Sequence, residues 1–139
     1  MKNKKYKPLI DKLFYIILIP TSVLLIVFTL LAALAPISLI IIIPVDLFCL
    51  YFIISPLFGY AELRENSLFI KFGFFMKKEI PYSKIRGTQK VRRFYSDSMV
   101  SLKNSFEHVN IKYNTFDILS VSVRENGDFI EEIDARIKN

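Results

Sequence analysis

The chain has 139 residues, a formal net charge of +6 and 53% hydrophobic residues. That length accommodates one small domain beside an anchor rather than two sizeable domains. A single cysteine, Cys49, and a single histidine, His108, exclude an internal disulfide and a zinc site of the usual Cys/His kind.

Residues 1–12 form a basic head in which Lys2, Lys4, Lys5, Lys7 and Lys12 outnumber Asp11. From Leu13 to Tyr60 the only formally charged residue is Asp46. One helix of that length would extend roughly 70 Å at ~1.5 Å per residue, against about 30 Å of bilayer hydrocarbon. Two spans are therefore expected within residues 13–59, at Leu13–Leu34 and Leu39–Phe58. Ala35, Pro36, Ile37 and Ser38 suit a tight reversal between them. The tract is too long for a cleaved signal peptide and runs straight into a second apolar stretch. Pro20, Pro44 and Pro56 mark kinks or helix ends.

Lysines flank the outer ends of both spans and the connection is uncharged, which orients both termini to the cytoplasm. Asp46 is the one candidate intramembrane polar site, because an ionisable group at that depth is costly unless paired or neutral. It is expected to be neutral and hydrogen-bonded across the hairpin to Ser22 or Thr21, or to help two copies associate. Two helices per chain are too few to enclose a proton or ion path without oligomerisation.

From Tyr60 the pattern changes to period two. "YAELRE" reads as a strand and Glu65, Asn66 and Ser67 as a turn. "LFIKFGFF" is the next strand, with Leu68, Ile70 and Phe72 on one face. Gly73 lies near a bend, "MKKEIP" resumes the alternation, and "YSKI" is a short helical turn that folds Ile85 inward. In "RGTQKVRRF", Arg86, Thr88, Lys90 and Arg92 share a face by parity. "YSDSMVSLKNSFEH" is polar and poorly patterned. "HVNIKYN" and "DILSVSV" pair around Asn114, Thr115 and Phe116. Ser122 and Glu125 have the spacing of a capping box. Phe129, Ile130, Ile133 and Ile137 then line one face of a helix that exposes Asp128, Glu131, Glu132 and Arg136. The expected fold is a membrane α-helical hairpin followed by a mainly-β barrel, residues 60–139, capped by the C-terminal helix.

The segments "LFIKFGFFMKKEIPYSKI" and "VSLKNSFEHVNIKYNTFDILSVSVRENGDFIEEI" resemble the bacterial pleckstrin-homology (PH) family of the YyaB-like type. The resemblance rests on Leu68, Ile70, Lys71, Gly73, Phe74, Ile80, Pro81 and Ile85. It continues at Ile111–Tyr113, at Ser122 and at Phe129–Glu132, with a looser trace at Ser98, Ser101 and Leu102. Val123 stands where the family tends to have proline. The resemblance implies a PH-like barrel behind two membrane helices in a bacterial plasma membrane; it does not imply a particular ligand, because fold does not fix function.

The candidate lipid or partner contact is the basic set Lys71, Lys77, Lys78, Lys84, Arg86, Lys90, Arg92 and Arg93. Beside an anionic leaflet each such charge gains on the order of 1 kcal/mol. Nucleic acid is not expected as a partner, since no stacking platform accompanies these charges. Phe74, Phe75 and Met76 are expected to close the barrel core, or otherwise to dip into the membrane interface or meet a partner. No G-x-S-x-G, phosphate loop or Cys/His pair is present, so neither enzyme activity nor a cofactor is expected. The functional expectation is a cytoplasmic module that binds lipid headgroups or a protein or peptide partner. The alternative is a structural or protective, immunity-type protein acting through hairpin oligomerisation.

Overall fold

The computed structural model describes residues 2–98, 102–103 and 105–139. The head is not a plain tail. Strand β1 (Lys4–Tyr6) pairs antiparallel with β2 (Tyr60–Leu63), placing Lys4 opposite Leu63 and Tyr6 opposite Ala61. Between them lie helix α1 (Lys12–Ala32) and helix α2 (Pro36–Ile54), followed by a 3-10 turn, Ser55–Phe58. The helical hairpin is therefore an insertion between two neighbouring strands, and both of its ends emerge at one end of the sheet.

The helices differ slightly from the expected bounds. Pro36 starts α2 rather than standing in the reversal, because proline's missing N–H and fixed φ suit a first helical position. Pro20 and Pro44 lie within α1 and α2. In α1 only Leu13 and Phe14 are buried, and in α2 no residue is. At ~1.5 Å per residue both are about 30 Å long, and both are apolar enough to cross a membrane.

The alternation after Tyr60 gives β3 (Ser67–Lys71) and β4 (Lys77–Pro81), which complete a four-stranded sheet in the order β1-β2-β3-β4. Leu63, Leu68, Ile70 and Ile80 point into the core. After a short 3-10 turn, Tyr82–Lys84, strands β5 (Ile85–Arg92), β6 (Glu107–Tyr113) and β7 (Asp117–Val121) form a second sheet. Among the described residues the named strands of the two sheets do not pair, and one isolated antiparallel bridge, Pro8 to Val123, links the extensions of β1 and β7, so the expected barrel is a loose one built from two sheets. Helix α3 (Asn126–Lys138) closes one end, burying Phe129 and Ile133, with Ile130 and Ile137 packed alongside.

The poorly patterned segment acts as a cover. Leu102 is buried and bridges Val121 in parallel, its N–H donating to Ser120 O at 3.1 Å. Asn110 donates to Asp97 at 2.5 Å and accepts from Ser120 at 2.8 Å. This cover explains polar residues on buried strands: the second face of β6 and β7 meets hydrogen-bonding groups instead of water. Ser101 lies outside the described residues.

Two local expectations are corrected. Ser122 and Glu125 form no capping box. Ser122 is drawn into the sheet edge, donating to Glu107 O at 3.0 Å and accepting from Ser105 at 2.7 Å. Glu125 makes no cap bond, and Asn126 Oδ1 instead accepts from Val123 N–H at 3.0 Å. Arg136 is buried rather than exposed, with its guanidinium donating to Arg64 O at 2.7 Å and Lys2 O at 2.8 Å. Those carbonyls lie beyond the paired strand ends, where a buried guanidinium replaces water.

A clasp fastens β1 to α3. Tyr6 packs edge-on against Phe129 at 5.0 Å, and Asp128 accepts from Lys4 at 2.6 Å and from Tyr6 at 2.5 Å. The Lys4 ammonium, then the Tyr6 hydroxyl, holds the Asp128 carboxyl below its ordinary 3.8. Burial, then the Asp128 carboxylate, pushes the Tyr6 hydroxyl up to about 12 from 10.0. A depressed carboxyl stabilises the fold above its unfolded value and loses that contribution as pH falls through the folded value. A raised phenol stabilises it below 10.0, and the contribution fades as pH rises towards about 12. The thermal midpoint of the full chain is expected to plateau between these limits. Asp128→Asn should lower the plateau and flatten the acid limb; it should also weaken the alkaline limb, where the Asp128 support of Lys4 is lost and the burial of Tyr6 remains. An unchanged acid limb in thermal melts across pH would show that the clasp is not formed.

Candidate functional site: the cleft beside the β3–β4 bend

The bend joining β3 to β4 is built against the end of the hairpin. Phe72 N–H donates to Met76 O at 2.8 Å, closing the turn. Gly73 sits at φ 153°, and a Cβ there would lie 1.7 Å from Ser55 Oγ. Ser55 Oγ in turn donates to Phe72 O at 3.4 Å. Gly59 allows a second close approach, since a Cβ there would meet Leu102 Cδ1 at 2.3 Å and Lys71 O at 2.6 Å. Asp11 makes the matching contact at the other helix. Its Oδ1 caps α1 by accepting from Leu13 N–H at 2.8 Å, and its Oδ2 accepts from Phe106 N–H at 3.0 Å. Both helix ends are thus bolted to the sandwich.

Phe74, Phe75 and Met76 do not close the core. They are 40%, 83% and 49% exposed. Phe74 instead stacks near Phe58 at 4.6 Å and Tyr51 at 5.6 Å, while Phe75 lies over Tyr51 at 6.0 Å. The glycine turn points the bend towards α2, leaving Phe72 to fill the core position.

Next to this bend, between the edge of β4 and the start of β7, lies a cleft of about 540 Å³. Phe72, Phe75, Met76, Ile118 and Leu119 supply its apolar wall, and Lys77, Lys78, Tyr113 and Ser98 its polar one. Lys78 Nζ donates to the Tyr113 hydroxyl and stands 4.5 Å from that ring's centre. Lys71 is paired in register with Lys77 at the same end of the hairpin. Like charges placed opposite one another repel, so an anion between or beside them would be favoured.

The basic set divides. Lys71, Lys77 and Lys78 belong to the cleft side. Arg86 sits at an irregularity in β5 between Ile85 and Gly87, which breaks the expected parity stripe, and donates to Thr115 O at 2.6 Å. Lys84 precedes it in the 3-10 turn and is exposed. Lys90 pairs with Glu107 at 3.5 Å and Arg93 with Asp97 at 3.5 Å; Arg92 is exposed beside them. Thr88, assigned the same face, donates to Asp134 of α3 at 2.9 Å. Exposed pairs of this kind contribute ~0–1 kcal/mol, and they leave Lys77 and Lys78 as the charges that line a cavity.

Asp46 is not in this cleft. Its Oδ2 accepts from Thr29 Oγ1 at 2.5 Å, rather than from Ser22 or Thr21; Thr21 donates to its own helix at Ile17 O, 2.7 Å away. His108 is buried in the sandwich, its Nδ1 3.3 Å from Phe106 O, and burial holds it below the ordinary imidazole range. Among the described residues no three His, Cys, Asp or Glu side chains gather as a metal site requires.

Sequence reasoning missed Tyr113, Ile118, Leu119 and Phe72 as cleft residues. The β3–β4 residues of the cleft, Phe72 to Lys78, and its Tyr113, Ile118 and Leu119 are more than thirty positions apart, and no local spacing relates them. Tyr113 and Lys78 each read as ordinary alternating strand residues until the sheets are packed.

Four strands and three strands in two antiparallel sheets, closed by one C-terminal helix, define a PH-like module. Residues 60–137 match the bacterial PH domain family, and the chain belongs to that family. No curated protein and no solved structure matches it. The family match begins at Tyr60, so β1 and the helical hairpin lie outside it.

The bend's geometry gives a direct test. Gly73→Ala places a methyl against Ser55 and forces an unfavourable φ, a combination expected to cost more than about 1 kcal/mol. Adding Ser55→Gly should recover part of that loss, because it removes the clash but not the backbone cost. Thermal melts of the two single variants and the double variant would reveal it. Strict additivity would mean that the bend and hairpin are not in contact.

Proposed function

We propose that the chain is an integral membrane protein whose PH module is held against the cytoplasmic leaflet, with the cleft receiving an anionic lipid headgroup. The observation that carries this reading is the cleft's position. Its lysine-lined wall opens beside Phe75, which stacks on Tyr51 of the second apolar helix. Aromatic side chains favour the headgroup layer, so a lipid could place its phosphate at Lys77 and Lys78 while its chains stay in the bilayer.

Several features support the membrane setting. Neither helix buries an apolar face in the sandwich, unlike a core helix of a soluble domain. The pairing of β1 with β2 favours both helix ends on one side, and the flanking lysines favour the cytoplasm. The exposed Phe94 and Tyr95 form a second aromatic pair. Lys103 links them to the hairpin side, donating to Phe94 O at 2.8 Å near Asp11. PH domains are generally binding modules, which agrees with an open cleft in place of a catalytic constellation.

The test uses the full chain, because a fragment beginning at Ala61 lacks β1. In native mass spectrometry from micelles doped with phosphatidylglycerol or phosphatidylcholine, phosphatidylglycerol is expected to be retained preferentially. Lys77→Gln with Lys78→Gln removes two charges, each worth about 1 kcal/mol near an anionic surface. The preference should fall by roughly 30-fold and weaken with added salt. Equal retention of the two lipids by the unaltered chain would refute the headgroup reading.

A further inference from the structure

We propose that the helical hairpin is a self-association surface, with two copies meeting at Asp46 through reciprocal carboxyl hydrogen bonds. This inference rests on α1 and α2 spanning a membrane, and is independent of the cleft. A groove of about 320 Å³ runs along the hairpin's outer face, lined by Ser22, Leu25, Thr29, Leu30, Asp46 and Leu50. Asp46 is partly exposed to it.

The hydrogen-bond inventory at this point is incomplete. The Thr29 hydroxyl carries one proton and has two oxygen neighbours, Leu25 O at 2.9 Å and Asp46 Oδ2 at 2.5 Å. Asp46 Oδ1 has no hydrogen-bond partner among the described residues. In hydrocarbon no water fills such a vacancy, and an unpaired polar group is costly.

The groove's own chemistry selects the occupant. From Leu13 to Tyr60 no basic residue is present, so a second hairpin of this chain cannot supply an ion pair. What it can supply is another carboxyl. A neutral carboxyl is one donor and one acceptor, and is therefore complementary to itself. Two copies inserted the same way are related by an axis along the membrane normal, which keeps each Asp46 at the depth of its counterpart. A two-fold contact of this kind is isologous, with the same patch used by both copies. Each acid then donates through Oδ1 to the other's Oδ2 while Oδ2 still accepts from Thr29. Leu25, Leu30 and Leu50 pack around the pair. Hydrogen bonds between membrane helices are a recognised source of association where apolar contact alone is not driving it.

The experiment is energy transfer between donor- and acceptor-labelled full chains in phosphatidylcholine vesicles, read across protein-to-lipid ratios. The unaltered chain is expected to associate. Asp46→Asn keeps a donor and an acceptor and should associate comparably. Asp46→Leu should associate roughly 3- to 30-fold more weakly, the range that interhelical hydrogen bonds support. With Asp46 intact and Cys49→Ser, Leu30→Cys in the groove should form an intermolecular disulfide, and Leu24→Cys, exposed but outside it, should not. Absence of transfer in the unaltered chain overturns the proposal. So does equal association by Asp46→Leu, or equal cross-linking at Leu24 and Leu30. Carbonate washing separates the two levels of failure: a chain that leaves the vesicles refutes membrane spanning itself. A chain that stays but shows no transfer refutes only the pairing.

Discussion

The pairing of Lys4, Lys5 and Tyr6 with Leu63, Glu62 and Ala61 is the contact on which the remaining architecture depends. These partners are separated by more than fifty residues, most of them in the helical hairpin, so the sheet is complete only when both helix ends return to the same place. Closing so long a connection is entropically unfavourable for a flexible chain. The helices lower that cost by being stiff and antiparallel, and three further bolts share the load. Asp11 caps α1 and holds Phe106, Ser55 abuts Gly73, and Leu102 fills the space left by Gly59. Lys4 and Tyr6 then reach Asp128, tying the first strand to the last helix. The sandwich and the hairpin consequently form one packed unit, although the family match covers only residues 60–137.

Periodicity made most of the sandwich legible. Leu68 and Ile70, then Val109 and Ile111, then Phe129 and Ile133 alternate or recur as their elements require, and all are buried. What escaped was structure fixed by contacts distant in sequence. β1 is three residues long and mostly lysine, a composition depleted in strands, and it is strand only because β2 is beside it. The capping spacing of Ser122 and Glu125 was a true local signal overridden by pairing at the edge of β7. Arg136 looked like a solvated helix residue because nothing local reveals that Arg64 O and Lys2 O converge on it. The segment around Leu102 has no alternation because it covers a sheet instead of extending one.

The same reasoning separates the basic residues that line a cavity from those that do not. By sequence they are one run of eight charges between Lys71 and Arg93. In three dimensions Arg86 serves a turn carbonyl, and Lys90 and Arg93 face acids of neighbouring segments. Charge already matched by a carboxylate contributes little to an external field. Lys77 and Lys78 differ in that an apolar wall stands opposite them, and a concave site with a few convergent polar groups is how small-ligand sites are generally built. Tyr113 stands on the lysine side, where its hydroxyl accepts from Lys78 and can also donate.

The two polar sites both adjoin α2, one at its end and one near its middle. The cleft lies beside the end of α2, with Phe74 and Phe75 against Tyr51 and Phe58, whereas Asp46 sits ten residues into α2, roughly 15 Å from its start. Tyr51 is on the same helix as Asp46, five positions further on. A displacement of α2 at Asp46 would therefore be carried by a rigid element to the aromatic contact that positions the bend. Ser55 and Gly73 leave the bend no slack to absorb such a shift, because their separation already excludes a methyl group. Close packing of this kind transmits displacement rather than damping it. The mouth of the cleft and the face of the hairpin are thus connected through α2, although no side chain lines both.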